Sequence, residues 1–160
     1  LKRSILLLFV VFSVVFISCK SSKSATNTSK NISKQKNSIV KTAEENLGVK
    51  YKFGGTTKSG MDCSGLVYST FQKFDYKLPR SSYEMANEGK EVSKSKAEPG
   101  DLIFFKTGGS RKINHVGLIT DIKKDEIFFI HSSTSKGVII SSTNEAYYAK
   151  AFEKIKRVIE

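Results

Sequence analysis

The sequence predicts an α+β domain, with helices in its first half and an antiparallel sheet after them. Ile39, Val40, Ala43 and Leu47 recur at helical spacing, and so do Leu66, Val67, Thr70 and Phe71. Beyond residue 100, short runs rich in Ile, Val and Phe alternate with Gly, Lys and Asp, the pattern of strands joined by hairpins. Helices grouped before strands, without alternation, separate α+β from a wound parallel sheet. A chain of 160 residues leaves room for one such domain and little more.

The N-terminus reads as an address. Lys2 and Arg3 precede thirteen residues, 5–17, in which only Ser13 is polar. A membrane span needs about 20 apolar residues, so this run has the length of a signal-peptide core. It closes on Phe16-Ile17-Ser18-Cys19, a small residue before a cysteine, as in a lipobox, although Phe16 stands where Leu is usual. Residues 1–18 are therefore expected to be a lipoprotein-type signal peptide and Cys19 the lipidated residue. That would leave the protein exported and anchored to a bacterial envelope membrane, at the outer membrane or periplasm.

Residues 19–32 are mostly Ser, Thr, Asn and Lys and are expected to form a disordered tether, because they cannot bury enough surface to offset chain entropy. Residues 33–160 remain for the domain. Of the net charge of +12, seven belong to residues 1–40, which hold no acid, leaving +5 for the rest. The high pI thus resides largely in leader and tether, which argues against nucleic acid as a partner.

Within the domain, a helix is expected over 32–47 with Gly48 as its C-cap, then an extended piece over 49–53 and a turn at Gly54-Gly55. Asp62 can cap a second helix over 63–74. Ser81 and Glu84 make a capping box for a short helix to Gly89. Strands follow over 101–106, 115–121, 126–132 and 137–141, then a short helix over 144–149 and a strand over 152–159.

Two cysteines in an exported chain would ordinarily suggest a disulfide. If Cys19 carries lipid, Cys63 has no partner, and an exposed thiol kept free argues for a use. Cys63 falls in the first turn of a helix, where free N–H groups and the dipole favour a thiolate, the attacking form. The chain has only two histidines. His115 opens one expected strand and His131 closes another, so hairpin pairing can bring both rings to one rim of the sheet. A helix start packed there would align a cysteine nucleophile, a base and an orienting group. The backbone N–H groups of Cys63 and Ser64 would then point where an oxyanion forms. The competing chemistry is zinc, but there is no C-x-x-C and no H-x-x-x-H spacing. The reading therefore calls for no metal and no cofactor.

Six motifs in order give the chain a resemblance to the NlpC-type cell-wall cysteine peptidases. They are Tyr51-Lys52-Phe53-Gly54-Gly55, Asp62-Cys63-Ser64-Gly65-Leu66, Leu78-Pro79-Arg80-Ser81-Ser82, Pro99-Gly100-Asp101-Leu102-Ile103-Phe104-Phe105, His115-Val116-Gly117-Leu118 and His131-Ser132-Ser133. The tail, from Gly137 through Ser142 with Asn144-Glu145 and Arg157-Val158, is similar to the small Spr-type murein endopeptidase lipoproteins of that family. The resemblance implies a papain-like core and a Cys63–His115–His131 triad of nucleophile, base and orienter. It implies that Tyr51 lies near the oxyanion or substrate backbone, and that Asp62, Arg80 and Ser82 line the groove. Asp62 can equally be only an N-cap, and Arg80 and Ser82 can equally only shape a turn. Relatives often carry Gln where this chain has Met85, a difference that could alter the groove.

The implied activity is hydrolysis of peptidoglycan stem peptides by a monomer, at the D-alanyl–diaminopimelate cross-link. The alternatives are the γ-D-glutamyl–diamino-acid bond of a single stem, a thiol acyltransferase or amidase, and a non-catalytic wall-binding module.

Overall fold

The computed structural model describes residues 22–160, with side chains from residue 27. The expected signal peptide and Cys19 lie outside the described residues. Element order is α1 (Ser22–Glu44), β1 (Thr56–Thr57), β2 (Gly60–Met61), α2 (Cys63–Gln72), α3 (Ser82–Met85), β3 (Lys90–Val92), β4 (Leu102–Phe105), β5 (His115–Lys123), β6 (Glu126–Ser133), β7 (Gly137–Ser142), α4 (Ala146–Ala151) and β8 (Phe152–Arg157). Six strands form one antiparallel sheet in the order β3-β8-β4-β5-β6-β7, and β1 and β2 make a separate small hairpin. The α+β expectation and the order of its elements match this architecture.

Strand alternation divides the core in two. Leu102 and Phe104 of β4, Val116 and Leu118 of β5 and Ile130 of β6 face the helices and pack with Ile39, Leu66 and Phe71. Ile103, Phe105, Ile119, Phe129 and Ile155 face the other way and are closed by Tyr148 of α4. The Asp101 expected in a strand instead anchors the sheet's edge. Fully buried, its carboxylate accepts two bonds of 2.8 Å from the Arg157 guanidinium and one of 2.9 Å from the Glu98 N–H. Glu98 in turn pairs with Lys36 at 2.7 Å, tying α1 to this turn.

Three expectations need correction. The stretch 19–32, read as a disordered tether, belongs to α1 from Ser22 onward. Residues 27–31 are exposed, so packing does not hold them. Once residues 32–44 are nucleated against the core, extending the helix fixes one residue per added hydrogen bond, which costs far less than starting one. Leu47 is half exposed, because α1 stops at Glu44 and the chain turns through Gly48 at φ +80°. Buried Asn46 takes its place, donating to the carbonyls of Thr42 and Ala43. The short strand β3, paired with β8, lies where only a helix end at Gly89 was expected.

Candidate active site

The site begins with the loop before α2. Asp62 caps that helix by accepting from the Gly65 N–H at 2.6 Å. The same carboxylate accepts from the Gly54 N–H at 2.7 Å, the Ser64 hydroxyl at 3.3 Å, and both terminal nitrogens of Arg80 at 2.9 and 2.7 Å. Arg80 also donates to the Ser64 hydroxyl at 2.8 Å and to the Gly55 carbonyl at 3.3 Å. The Arg80 guanidinium and these N–H donors hold the Asp62 carboxyl below its ordinary range despite its burial, which pushes the other way. Gly65 is required here, since a Cβ on it would collide with the Gly55 carbonyl oxygen. The Gly-Gly turn, the cap and the Arg-Ser-Ser segment are thus one locked unit.

That unit docks where the sheet opens. The β4–β5 ladder runs out to Phe105↔His115, but the β5–β6 ladder has its last pair at Leu118↔Ile130. Beyond that pair the backbone ladder between β5 and β6 stops. The Ser132 hydroxyl donates to the Met61 carbonyl at 2.7 Å, fixing the residue before the Asp62 cap at this opening. The Val116 N–H, freed from the ladder, faces the Cys63 sulfur. Cys63 is a free cysteine at the first residue of α2, and its thiol lies beside the residue that follows His115.

The two histidines meet as the hairpin reasoning requires. His115 Nε2 and His131 Nδ1 are 3.0 Å apart, and His131 Nε2 is 3.3 Å from the Tyr148 hydroxyl. β6 runs two residues past His131, to Ser133. His131 is wholly buried, edge-on to His115 and packed against Phe129 and Tyr148. With Nε2 committed, His115 keeps Nδ1 for another partner. No Cys63–His115 hydrogen bond occurs among the described residues.

Burial sets the protonation states. It lowers His115 to about 4 and His131 to about 3, the latter helped by the neighbouring His115. It also raises the Cys63 thiol, and the Asp62 charge adds to this; the N–H groups of Val116, Ser64 and Cys63 pull down but do not win. The expectation of a ready thiolate at the helix start is therefore corrected. Removal from water disfavours the anion more than the helix start favours it. At neutral pH the site holds a thiol and two neutral imidazoles.

The remaining candidates divide. Tyr51 lines the depression beside Cys63, and its hydroxyl is raised by burial and then by Cys63 and Asp62. Ser82 lines the same depression, buried, and its hydroxyl has no hydrogen-bond partner among the described residues. Asp62, Arg80 and the Ser64 hydroxyl are engaged with one another, as shown above. Met85 is fully buried in the helix-side core, so it fills space and does not line the groove.

Sequence reasoning missed Asn114, Phe53 and Tyr148. Asn114 and the 88 % exposed Phe53 border the Cys63 depression, and Asn114 is clamped to Thr107 by bonds of 2.8, 3.0 and 3.1 Å. A second depression lies across the Asn114–His115 step, bordered by His115, Ser133, Lys136, Glu145 and Tyr148. An Asn before a strand and a Tyr in a short helix carry no chemical pattern that would single them out.

Comparison with known proteins bears on the family and the fold. Residues 48–157 match the NlpC/P60 family. Over 113 residues, 70% of this chain, it is 46% identical to the murein DD-endopeptidase MepS/murein LD-carboxypeptidase of Escherichia coli K12 and spans 57% of that enzyme. Over 121 residues, 74% of this chain, it is 36% identical to the gamma-D-glutamyl-L-lysine dipeptidyl-peptidase of Bacillus subtilis, spanning 40% of it. A crystal structure of an NlpC/P60 family protein from Bacillus cereus superposes with a TM-score of 0.69 at 27% identity, covering 78% of this chain and 40% of the other. Matched over most of its described length in both sequence and fold, this chain belongs to the NlpC/P60 family.

Proposed function

We propose that this protein is a peptidoglycan endopeptidase in which Cys63 attacks a stem-peptide carbonyl, His115 moves the protons and His131 orients His115. The observation that carries the reading is the opened end of the β5–β6 ladder. There the first residue of α2 brings a thiol against the β5 backbone at Val116, the residue after His115, whose Nε2 is held by a second imidazole.

Because the resting pair is neutral, attack and proton transfer are coupled. His115 Nδ1 takes the thiol proton as the sulfur bonds to the carbonyl carbon. The oxyanion is met by the N–H groups of Cys63 and Ser64, which have no intrahelical acceptor at the start of α2, and by the Tyr51 hydroxyl. Protonated Nδ1 then delivers its proton to the leaving amine, and the C–N bond breaks to leave a thioester. A water loses its proton to His115 and cleaves the thioester, restoring the thiol. Apo catalytic contacts are commonly long, so sulfur and Nδ1 would close up with substrate bound. Ser82 offers an unengaged hydroxyl along the groove, whereas Asp62 and Arg80 serve by holding the loop.

The favoured bond is the D-alanyl–diaminopimelate cross-link. The depressions on either side of the Asn114–His115 step give room for one stem before the scissile bond and another after it. The 46% identity to a murein DD-endopeptidase points the same way, while the lower identity to a gamma-D-glutamyl-L-lysine dipeptidyl-peptidase keeps the single-stem bond as the second reading. In this proposal the protein is a monomer exported to the bacterial envelope and held to a membrane there, the outer membrane being favoured, by lipid on Cys19. The short apolar run 5–17 ending in Ser18-Cys19 supports this. Metabolic labelling with a clickable fatty acid tests the anchor: label lost on Cys19→Ala supports it, and no label on the parent chain refutes it.

Incubation with purified cross-linked muropeptide dimers, followed by mass spectrometry, tests the activity and the bond together. Dimers resolving to monomers are expected. Products shortened within a stem would move the assignment to the γ-D-glutamyl bond, and intact dimers and stems would refute the peptidase reading.

A further inference from the structure

The aromatic face behind the histidines contains one polar atom that the mechanism has not used. Tyr148, in α4, is 9 % exposed, whereas Tyr147 beside it is 57 % exposed. The Tyr148 ring packs edge-on to His131 at 5.2 Å and Phe129 at 5.1 Å, and its hydroxyl lies 3.3 Å from His131 Nε2. The Ser141 side chain lies by the same hydroxyl and favours its ionised form. A row therefore runs from His115 through His131 and Tyr148 to Ser141.

Proton bookkeeping gives this row one useful direction. Between His115 Nε2 and His131 Nδ1 there is one proton, since both rings are neutral. If it sits on His131 Nδ1, His115 carries its own proton on Nδ1 and has no lone pair for the thiol. If it sits on His115 Nε2, then Nδ1 of His115 is a base, and the His131 proton must be on Nε2. In wholly buried His131 that N–H has, among the described residues, one neighbour able to accept it, the Tyr148 oxygen. Burial raises Tyr148 to about 12, so it remains a hydroxyl with lone pairs to offer.

We propose that Tyr148 is a positioning residue: its hydroxyl accepts from His131 Nε2–H and so holds the two histidines in the tautomer that leaves His115 Nδ1 free to accept a proton. This deepens the proposed function and rests on it for the catalytic consequence. The tautomer itself is a property of the resting protein and can be read without substrate. Without the hydroxyl, a proton on His131 Nε2 would be buried and unsatisfied, and the pair would shift to the arrangement in which His115 is already protonated on Nδ1.

Two histidines in the whole chain make this directly visible. Nitrogen-15 histidine labelling of the full chain should show His131 protonated on Nε2 and His115 on Nε2. In Tyr148→Phe, which keeps the ring and its packing, both protons should move toward Nδ1, and kcat on muropeptide dimers should fall about tenfold with KM unchanged. Ser141→Ala, which retains the Tyr148 hydroxyl, should move the same signals less far. Phe129→Leu, which disturbs the same aromatic face but no hydrogen bond in the row, should leave the proton positions as they are. An unchanged proton distribution in folded Tyr148→Phe would overturn the proposal whatever the enzyme cleaves. A shifted distribution in a protein that never cleaves stem peptides would instead sink the proposed function and leave this inference standing.

Discussion

The loop that carries Cys63 is held by charge and backbone donors, whereas the strand ends that carry His115 and His131 are held by aromatic packing. On the first side, one carboxylate, Asp62, gathers two N–H groups, a hydroxyl and a guanidinium within 3.3 Å. On the second, the His131 ring lies among Phe129, Tyr148 and His115, and only two hydrogen-bonding neighbours reach its nitrogens. The difference has a chemical result. Ionic and backbone anchoring fixes the nucleophile's loop while leaving it beside solvent-lined space. Burial, complete at His131 and partial at His115, keeps both imidazoles neutral, so that His115 can serve as a base below the ordinary histidine pKa.

The largest break in this comparison removes the reacting atom and touches neither anchoring system. Cys63→Ala should lower turnover of muropeptide dimers by roughly 10⁴-fold or more, with a melting temperature close to that of the parent. Measured turnover and circular-dichroism melting check the two halves together.

Breaking the charged anchor should act on stability first. Asp62→Ala removes the α2 cap and strands Arg80 and the Gly54 N–H, so a loss of about 2–3 kcal/mol is expected from chemical denaturation. Arg80→Ala, at a more exposed position, should cost less, about 1 kcal/mol. Equal costs would show that the ion pair, and not the cap, holds the loop.

Acid sharpens the other side. Both histidines have folded pKa values below their unfolded value of about 6.5, at about 4 and about 3. Between those values and 6.5 the unfolded chain binds more protons, so stability should fall as pH drops from 6.5 toward 4. Replacing both histidines by Asn should flatten that slope in melting temperature against pH. Turnover should persist to lower pH than a histidine of ordinary pKa allows, with its acid limb near 4.

The smallest effect expected on catalysis lies outside both anchoring systems. Met85→Gln places an amide in a fully buried apolar site and should cost about 1–3 kcal/mol in denaturant, without changing which bond is cut. A changed product pattern would return residue 85 to the groove.

Much of this was legible in the sequence because the informative features are local. The Asp62 cap, the Ser81–Glu84 box and the face formed by Leu66, Val67, Thr70 and Phe71 are set by spacings of three and four residues, and they occur as read. His115 and His131 could be brought together because a hairpin between their strands admits few registers. What sequence could not show depends on long-range geometry. The end of the β5–β6 ladder at Leu118↔Ile130 is a property of strand divergence, and Tyr148 reaches His131 from a helix 17 residues away. The raised thiol likewise reflects burial, which outweighs the helix start that the sequence does reveal. Leu47 and the helical residues 22–31 were misread because periodicity and composition say little about where a helix already anchored at one end will stop.

The most direct test of the account is to catch the covalent intermediate. Muropeptide dimer mixed with the protein and quenched in acid within the first turnover should leave one thioester-linked donor stem, located on the Cys63 peptide by mass spectrometry. The adduct should be missing in Cys63→Ala and strongly reduced in His115→Ala. Turnover by Cys63→Ala, or an acyl group on any other residue, would contradict it.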